Sequence, residues 1–275
     1  MAQKTISVVG CGWLGLPLAK ALVQEGHHVK GSTTTPAKLE LLQQAGIEPF
    51  LVSFPENNLK TDLDLLLNAD VIVLNLPPKR AASEANDYEK TVKELLAAIP
   101  NPDTKVLFVS STSVYPELNR TVTEQDAIAS AEADALLLRC EYWVQQAKPQ
   151  QATIVRFGGL MGGSRPPGKF LAGRENLPQP MGPVNMIHLQ DCTGLLTEIL
   201  RQEKWGFTFN ACAPSHPTRQ EFYTTAALTL GLTPPTFLQE ELTKFKIIDS
   251  SLIQQELKYT FTFPDVAHCL GSPSF

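Results

Sequence analysis

The stretch Thr5-Ile6-Ser7-Val8-Val9-Gly10-Cys11-Gly12-Trp13-Leu14-Gly15 decides the fold of this chain. Its first five residues are typical of a buried strand, and Leu14, Leu18 and Leu22 then recur at helical spacing. A strand, a glycine-rich turn and a helix in direct succession begin a β-α-β unit. In that context, the spacing Gly-x-Gly-x-x-Gly predicts a turn that binds the pyrophosphate of a dinucleotide.

The glycines of this turn have separate predicted roles. Gly10 permits the tight turn, Gly12 lets the backbone approach the phosphates, and Gly15 brings the helix against the strand. The N-terminus of the helix adds N–H groups and a partial positive charge, and both attract phosphate. We expect Trp13 and Leu14 to belong to the same cofactor-binding turn. A glycine-rich turn without a ligand is the alternative interpretation.

The residues after the second predicted strand bear on the choice of cofactor. An NAD site usually has Asp or Glu there, which accepts hydrogen bonds from the ribose. This chain instead has Ser32, Thr33 and Thr34, with Lys38 one turn into the next helix. Since no carboxylate repels a 2′-phosphate, and hydroxyls and a lysine can bind one, the sequence favours NADP over NAD. A helix start capped by Thr35 would look similar.

Strands and helices alternate through the first 160 residues, which predicts an α/β protein with a doubly wound parallel Rossmann sheet. Helices are expected near Ser83–Ala98 and Asp134–Ala147, and a leucine-rich turn at Leu63–Leu67. The six predicted strands are Thr5–Val9, a short strand around Val29, Glu48–Phe54, Val71–Leu74, Val106–Ser110 and Ala152–Phe157.

The second half of the chain is more mixed. Residues 158–183 are rich in Gly and Pro, which predicts loops over a site with one short helix at Lys169–Gly173. The later predicted elements are a strand Val184–Leu189, a helix Asp191–Arg201, a strand Phe207–Cys212, and a helix opened by a capping box at Thr218 and Glu221 that ends at Gly231.

These patterns predict two parts. A Rossmann core that binds NAD(P) would comprise residues 1–160 and continue at about 184–212. A smaller mixed substrate-binding lobe would comprise residues 161–183 and 213–275.

Composition limits the partners and the compartment. A net charge of −5 and a pI near 5.6 argue against binding to nucleic acid or to an anionic membrane surface. We expect no membrane span, because no apolar run reaches the roughly 18 residues that one requires. Five scattered cysteines without a Cys-x-x-Cys pair favour a reduced cytoplasmic protein with no metal site. The expected partner is a small-molecule substrate, and the expected state is a monomer or a homodimer.

Several motifs, in this order, resemble those of the extended short-chain dehydrogenases/reductases of the NAD-dependent epimerase/dehydratase kind. They are the glycine turn, Leu76-Pro77-Pro78, Ser110-Ser111-Thr112-Ser113-Val114-Tyr115, Arg156-Phe157-Gly158-Gly159-Leu160, Asn185-Met186-Ile187-His188-Leu189-Gln190-Asp191, and Phe209-Asn210-Ala211. The resemblance implies that Leu76, Pro77 and Pro78 line the cofactor. It also implies that Ser110 and Ser111 face the nicotinamide region and that Phe157, Gly158 and Gly159 close over it.

The chain departs from this family at its working pair, a Tyr followed four residues later by Lys. None of the five tyrosines has a lysine at that spacing, since the residues found there are Val92, Asn119, Gln146, Ala227 and Phe263. If Glu141 matches the family's acidic residue, the two catalytic positions hold Ala133 and Leu137. The glycine spacing also differs from the usual Gly-x-x-Gly-x-x-Gly. The chain therefore resembles the atypical members that keep the cofactor fold.

Three residues are candidates to replace the missing pair. Tyr115 could donate a proton at the rim of a substrate pocket, although packing on the loop or on the cofactor is the favoured interpretation. Ser111 and Thr112 could bind a substrate carbonyl or merely cap a turn. His188, at the end of a strand, fits a structural role better than a catalytic one.

Three functional hypotheses remain open at this point. The first is an NAD(P)-dependent oxidoreductase or epimerase-like enzyme for a small sugar-like or carbonyl substrate. The second is a protein that binds NADP(H) without catalysis, as a sensor or scaffold. The third is a protein like the hydroxyacid dehydrogenases, which would require a long, all-helical C-terminal domain.

Overall fold

The computed structural model describes residues 2–53, 60–78, 85–239, 241–242 and 244–271. The chain divides into two compact units. The first comprises Met1–Ser110, Ile128–Val155 and Leu196–Thr208, and the second comprises Ser111–Ala127, Arg156–Leu195 and Phe209–Phe275.

Strands and helices alternate along most of the chain. The strands are β1 (Thr5–Val9), β2 (His28–Thr33), β3 (Glu48–Leu51), β4 (Val71–Leu74), β5 (Lys105–Ser111), β6 (Arg120–Val122), β7 (Ala152–Phe157), β8 (Gly159–Met161), β9 (Met186–His188), β10 (Thr208–Ala211) and β11 (Lys246–Ile248). The helices are α1 (Gly15–Gln24), α2 (Leu39–Gln44), α3 (Lys60–Leu67), α4 (Ala85–Ala97), α5 (Leu136–Ala147), α6 (Gly168–Leu171), α7 (Leu189–Arg201), α8 (Arg219–Thr229) and α9 (Ser251–Leu257).

Seven strands form one sheet in the order β3-β2-β1-β4-β5-β7-β10. The neighbours of β1 are β2 and β4, and both pairs are parallel, as are β2 with β3 and β4 with β5. The chain first moves outward from β1 to β3 and then returns to β4, so the strand order reverses between β1 and β4. Ligands of such sheets bind at the carboxyl ends of the strands beside this reversal, where the glycine turn lies.

The predicted doubly wound α/β fold is confirmed, and each of the six predicted strands is present. Phe54, the last residue of the third predicted strand, and Ser83, the first of a predicted helix, lie outside the described residues. The predicted turn at Leu63–Leu67 is wrong, because these residues belong to helix α3. The spacing of Leu63, Leu66 and Leu67 places all three on the core side, with Leu66 and Leu67 fully buried.

The second unit is mixed rather than helical. Its strand pairs β6–β11 and β8–β9 are parallel, and its core includes Met161, Val184 and Phe222. The Gly- and Pro-rich segment contains β8 and the short α6, which overlaps the predicted helix at Lys169–Gly173. Strands β10 and β11 exclude the all-helical C-terminal domain that the hydroxyacid-dehydrogenase hypothesis required.

The two predicted helix starts have different outcomes. At α8, the Thr218 hydroxyl accepts a hydrogen bond from the Glu221 N–H at 3.2 Å, and the Glu221 carboxylate accepts one from the Thr218 N–H at 3.3 Å. The predicted capping box is therefore confirmed. The predicted cap at Thr35 is wrong, because the Thr35 side chain makes no capping hydrogen bond. Pro36–Lys38 forms a single 3₁₀ turn before α2.

All five cysteines are free and buried. Burial raises the pKa of both Cys11 and Cys140 to about 12, which keeps these thiols protonated and unreactive near neutral pH. Within the described residues, no helix has both the length and the apolar character needed to cross a membrane.

Replacing Thr218 with Ala should lower the free energy of unfolding by about 1 kcal/mol, because it removes the capping oxygen of α8. Urea denaturation followed by circular dichroism measures the change. The control is Thr225→Ala, an exposed position inside α8, which should be neutral or slightly stabilising. Equal effects of the two substitutions would contradict the capping role.

Candidate functional site

Packing within the protein explains two glycines of the turn. Gly10 has a φ of 105°, a conformation that L side chains rarely adopt, and a Cβ there would lie 2.5 Å from the Asn75 carbonyl oxygen. A Cβ on Gly15 would collide with the Gly10 carbonyl oxygen and lie 2.8 Å from the Asn75 amide nitrogen. Both positions therefore require glycine for reasons internal to the fold.

Gly12 is different, because nothing inside the protein requires a glycine there. Its φ lies outside the left-handed region, and a Cβ at this position would meet no atom within 4 Å. The residue is exposed and faces open space beside the start of α1. A glycine at such a point allows an external group to approach the backbone closely. The turn therefore fits the pyrophosphate of a dinucleotide.

Hydrogen bonds from both flanking strands hold the turn. The Gly10 N–H donates to the Ser32 hydroxyl at 2.9 Å, and the Cys11 N–H donates to the Ser32 carbonyl at 2.8 Å. From the other side, the Asn75 side-chain amide donates to the Gly10 carbonyl at 2.9 Å. The Asn75 N–H also donates to the Val9 carbonyl at 3.0 Å. Residues at the carboxyl ends of β2 and β4 thus fix the peptide groups of Gly10.

Helix α1 begins immediately after these contacts. Leu14 is its N-cap residue and is buried, while Trp13 is half-buried. The Leu14 side chain makes no capping hydrogen bond. The first N–H groups of a helix lack intrahelical partners, and the helix dipole is positive at this end. This end of α1 therefore favours an anionic group.

The four residues predicted to select NADP lie in two environments. Ser32 and Thr33 are 2% and 7% exposed, and the Thr33 hydroxyl accepts a hydrogen bond from the Thr35 N–H at 3.1 Å. Thr34 and Lys38 are exposed. Of the four, these two side chains are accessible to a ligand.

The carboxyl end of β4 carries the predicted Leu76-Pro77-Pro78 segment. Leu76 is half-buried and its carbonyl accepts a hydrogen bond from the Tyr88 hydroxyl at 2.8 Å. Pro77 and Pro78 are exposed. Because β4 is adjacent to β1, the segment and the glycine turn follow neighbouring strands at the same edge of the sheet.

Ser110, at the end of β5, is 6% exposed and its hydroxyl donates to Glu141 at 2.5 Å. Glu141 lies on α5 and is fully buried. Ala133 and Leu137, the positions predicted for the Tyr and Lys, are half-buried and have no titratable side chain. The end of β5 in the first unit therefore presents a serine held by a carboxylate.

Glu89, a carboxylate on α4, binds two side chains of α5. Glu89 accepts hydrogen bonds from Arg139 at 2.8 Å and from Trp143 at 2.9 Å, and pairs with Lys93 at 2.9 Å. Burial alone would raise the pKa of Glu89. The hydrogen bonds from Arg139, Lys93 and Trp143 outweigh burial and lower this pKa to about 2. Arg139 is thus a structural partner of Glu89.

In the second unit, Ser111 and Tyr115 both take part in structural hydrogen bonds. The half-buried Ser111 hydroxyl accepts from the Ser113 N–H at 3.1 Å and caps a 3₁₀ turn that contains the buried Thr112. Tyr115 is 2% exposed and its hydroxyl donates to Asn210 at 2.7 Å. Burial raises the pKa of Tyr115.

Arg156 completes the network around Tyr115. It is 2% exposed and donates to the Tyr115 hydroxyl at 2.7 Å, to the Glu124 carbonyl at 3.1 Å and to the Ala127 carbonyl at 2.9 Å. Asn210 in turn donates its N–H to the Glu124 carboxylate at 2.7 Å. Because the Tyr115 proton is directed at Asn210, transfer to a substrate would first require this bond to break. A catalytic role for Tyr115 remains a prediction.

The predicted Phe157-Gly158-Gly159 segment lies in the second unit, where β7 ends. Phe157 is buried, and the Gly158 N–H donates to the Ala211 carbonyl at 2.9 Å. The Gly159 N–H donates to the Asn185 carbonyl at 2.7 Å. These backbone bonds fix the segment, and Gly159 is exposed.

His188 is 3% exposed, and its ring centroid lies 4.0 Å from that of Phe263. Its Nδ1 accepts a hydrogen bond from the Gln190 N–H at 3.2 Å. A Cβ on Gly162 would collide with the ring. This tight packing indicates a structural histidine.

Comparisons with known proteins agree with this geometry. The family model described as the NAD binding domain of 6-phosphogluconate dehydrogenase matches residues 5–136. Protein YeeZ of Escherichia coli K12 is 37% identical over 268 residues, which cover 96% of this chain and 97% of that protein.

Two solved structures share the fold over nearly the whole chain. A short-chain dehydrogenase/reductase superfamily protein from Agrobacterium tumefaciens with bound NAD has a TM-score of 0.77 and 16% identity, covering 98% of this chain and 95% of that one. UDP-glucuronic acid 4-epimerase from Bacillus cereus in complex with NAD has a TM-score of 0.77 and 18% identity, covering 98% and 96%.

The fold and the glycine turn therefore define a Rossmann protein, whose architecture is shared by these short-chain dehydrogenase/reductase and epimerase structures. At the level of sequence, the chain belongs to the family of Escherichia coli protein YeeZ.

Replacing Tyr115 with Phe should lower the free energy of unfolding by about 1–3 kcal/mol, because Arg156 and Asn210 each lose a buried hydrogen-bond partner. Urea denaturation measures the loss. Tyr223→Phe is the control, since the Tyr223 ring packs at 5.1 Å edge-on against Phe222 and that contact survives the change. An unchanged stability of Tyr115→Phe would show that the network is not important for folding.

Proposed function

We propose that this protein binds a nicotinamide dinucleotide through its Gly10–Gly15 turn. We further propose that it acts as an oxidoreductase or epimerase-like enzyme without the Tyr-x-x-x-Lys pair. The proposal rests on the open space beside Gly12, where a Cβ would meet no atom within 4 Å, on a turn whose other two glycines are tightly packed. The NAD described in the Agrobacterium tumefaciens and Bacillus cereus structures adds support.

When bound, the nicotinamide would supply or accept a hydride. In this chain, the open space beside Gly12 would admit the pyrophosphate, and the N-terminus of α1 would hold it. The Leu76–Pro78 segment would line the cofactor, as would Ser110, whose hydroxyl is oriented by the buried Glu141. These residues bind and orient the cofactor and exclude water from it.

The proposed preference for NADP over NAD rests on the end of β2. No carboxylate is present at residues 31–35 to repel a 2′-phosphate, and the exposed Thr34 and Lys38 offer a hydroxyl and a cation to bind one. Gly31 also excludes a carboxylate at its own position, because a Cβ there would lie 2.7 Å from the Cys11 sulfur.

The substrate proposed for this enzyme is a small sugar-like or carbonyl compound. Ser111 is a candidate to bind its carbonyl group, since a hydroxyl that accepts one hydrogen bond from Ser113 still has its own proton to donate. Thr112 is the next candidate, although it is buried. Tyr115 would serve only after release from Asn210.

A second candidate function is a non-catalytic sensor or scaffold that binds NADP(H). The observation that favours it is the chemistry of the predicted catalytic positions, since Ala133 and Leu137 cannot transfer protons and Tyr115 is committed to Arg156 and Asn210. Oxidation of NADPH in the presence of a panel of carbonyl compounds would support the enzyme. Retention of a protein partner that depends on NADP(H) would support the sensor.

The proposed location is the cytoplasm, supported by five free buried thiols that a reducing compartment would preserve. The proposed assembly is a monomer or a homodimer, which sedimentation velocity would distinguish.

Replacing Gly12 with Val should abolish detectable binding of NADPH, measured by the quenching of tryptophan fluorescence, without loss of the folded state. The valine side chain would not clash with other protein atoms, but it would occupy the space proposed for the pyrophosphate. Gly271→Val is the matched control, because a Cβ at Gly271 also meets no atom within 4 Å. Unchanged NADPH affinity in Gly12→Val would rule out this turn as the site.

Replacing Lys38 with Glu should weaken NADPH binding about tenfold, equivalent to about 1.4 kcal/mol, while NADH binding changes little. The ratio of the two dissociation constants is the measurement, since it cancels general effects on the site. Lys20→Glu, an exposed position on α1, is the control for charge. Equal weakening of NADPH and NADH by Lys38→Glu would contradict the proposed 2′-phosphate contact.

A further inference from the structure

We infer that Asn75 and Ser32 are positioning residues of the dinucleotide site, which hold the Gly10 peptide groups in the orientation that pyrophosphate requires. The inference rests on the proposed function, because it concerns the same site. It gives Ser32 a role through the turn instead of direct contact with a 2′-phosphate.

Ser32 and Asn75 each bind one of the two hydrogen-bonding groups of the Gly10 backbone. The Gly10 N–H donates to the Ser32 hydroxyl at 2.9 Å, and the Gly10 carbonyl accepts from the Asn75 amide and from the Gly12 N–H, each at 2.9 Å. The two bonds come from β2 and β4, the strands on either side of β1. The turn is therefore held from both flanks and cannot rotate about Gly10 without losing one bond.

Asn75 also packs closely against the turn. Its side-chain amide nitrogen lies 2.8 Å from the point where a Cβ of Gly15 would be, and its backbone carbonyl oxygen lies 2.5 Å from the corresponding point of Gly10. Asn75 therefore fills the space that the first and third glycines leave, and packs the turn against β4. Among the three glycines of the turn, Gly12 is the one with open space beside it.

Holding the turn in place also affects the free energy of binding. A turn that is already held in its binding geometry does not lose conformational freedom when the ligand arrives, so its affinity is higher than that of a mobile turn. The effect should appear for every ligand that contains the pyrophosphate and should be absent for a ligand that lacks it. This selectivity distinguishes a positioning residue from one that only stabilises the fold.

The test replaces Asn75 with Leu, which has a similar shape but no hydrogen-bonding group in its side chain, and uses NADPH, ADP and adenosine as probes. We expect Asn75→Leu to weaken NADPH and ADP binding by about the same factor, roughly five- to tenfold, measured by calorimetry. Adenosine binding, followed by ligand-observed NMR, should stay unchanged. Asn75→Ser removes the amide without adding bulk and should shift the affinities in the same direction, should the leucine variant fail to fold.

Ser32→Ala provides an independent arm, because it removes the acceptor on the other flank of Gly10. If both residues act through one peptide, the losses in ADP affinity of Ser32→Ala and Asn75→Ser should not be additive in the double variant. The control is Asn68→Leu, an exposed asparagine beyond the end of α3, which should leave all three affinities unchanged.

Unchanged ADP affinity in the Asn75 variants would overturn the positioning role while leaving the proposed function intact. An equal loss of adenosine affinity would also overturn it, since that pattern indicates general damage to the site. Failure of the unmodified protein to bind NADPH and ADP would overturn the proposed function, and the positioning role with it.

Discussion

The structure of the candidate site depends on how the Gly10 peptide is held between two strands. Hydrogen bonds from Ser32 and Asn75 fix it at the point where the strand order of the sheet reverses. The fold thereby supplies a rigid backbone platform at the start of α1. Under the proposed function neither residue would need to touch the ligand, because the open space beside Gly12 and the positive end of α1 would receive it.

A second feature of the first unit is the buried hydrogen bond at the end of β5. Ser110 is held there by the buried Glu141. The family resemblance predicts a Tyr and a Lys at positions 133 and 137, where this chain has Ala133 and Leu137. The second unit contributes a closed network around Arg156 and Tyr115. The proposed dinucleotide binding and the proposed catalysis therefore rest on different residues and must be tested separately.

Much of the fold could be predicted from the sequence, because buried strands and amphipathic helices have periodic patterns that need no tertiary information. The glycine turn and the capping box at Thr218 are local motifs and were predicted with their residues. Helix α3 was missed, since its short leucine-rich run resembles a turn when read without its packing. The contacts of Asn75, Glu141 and Arg156 could not be predicted, because their partners are 65, 31 and 41 residues away in sequence. The one available signal for Asn75 was a polar residue that interrupts the apolar run Val71–Leu76.

The most direct test of the central claim is a calorimetric titration of the unmodified protein with NADPH, NADP, NADH and NAD in turn. We predict binding at one site per chain, with NADPH and NADP bound more tightly than NADH and NAD. Binding of NAD and NADH with equal or higher affinity would contradict the assignment of Thr34 and Lys38 to the 2′-phosphate. Binding of none of the four would contradict the cofactor site itself.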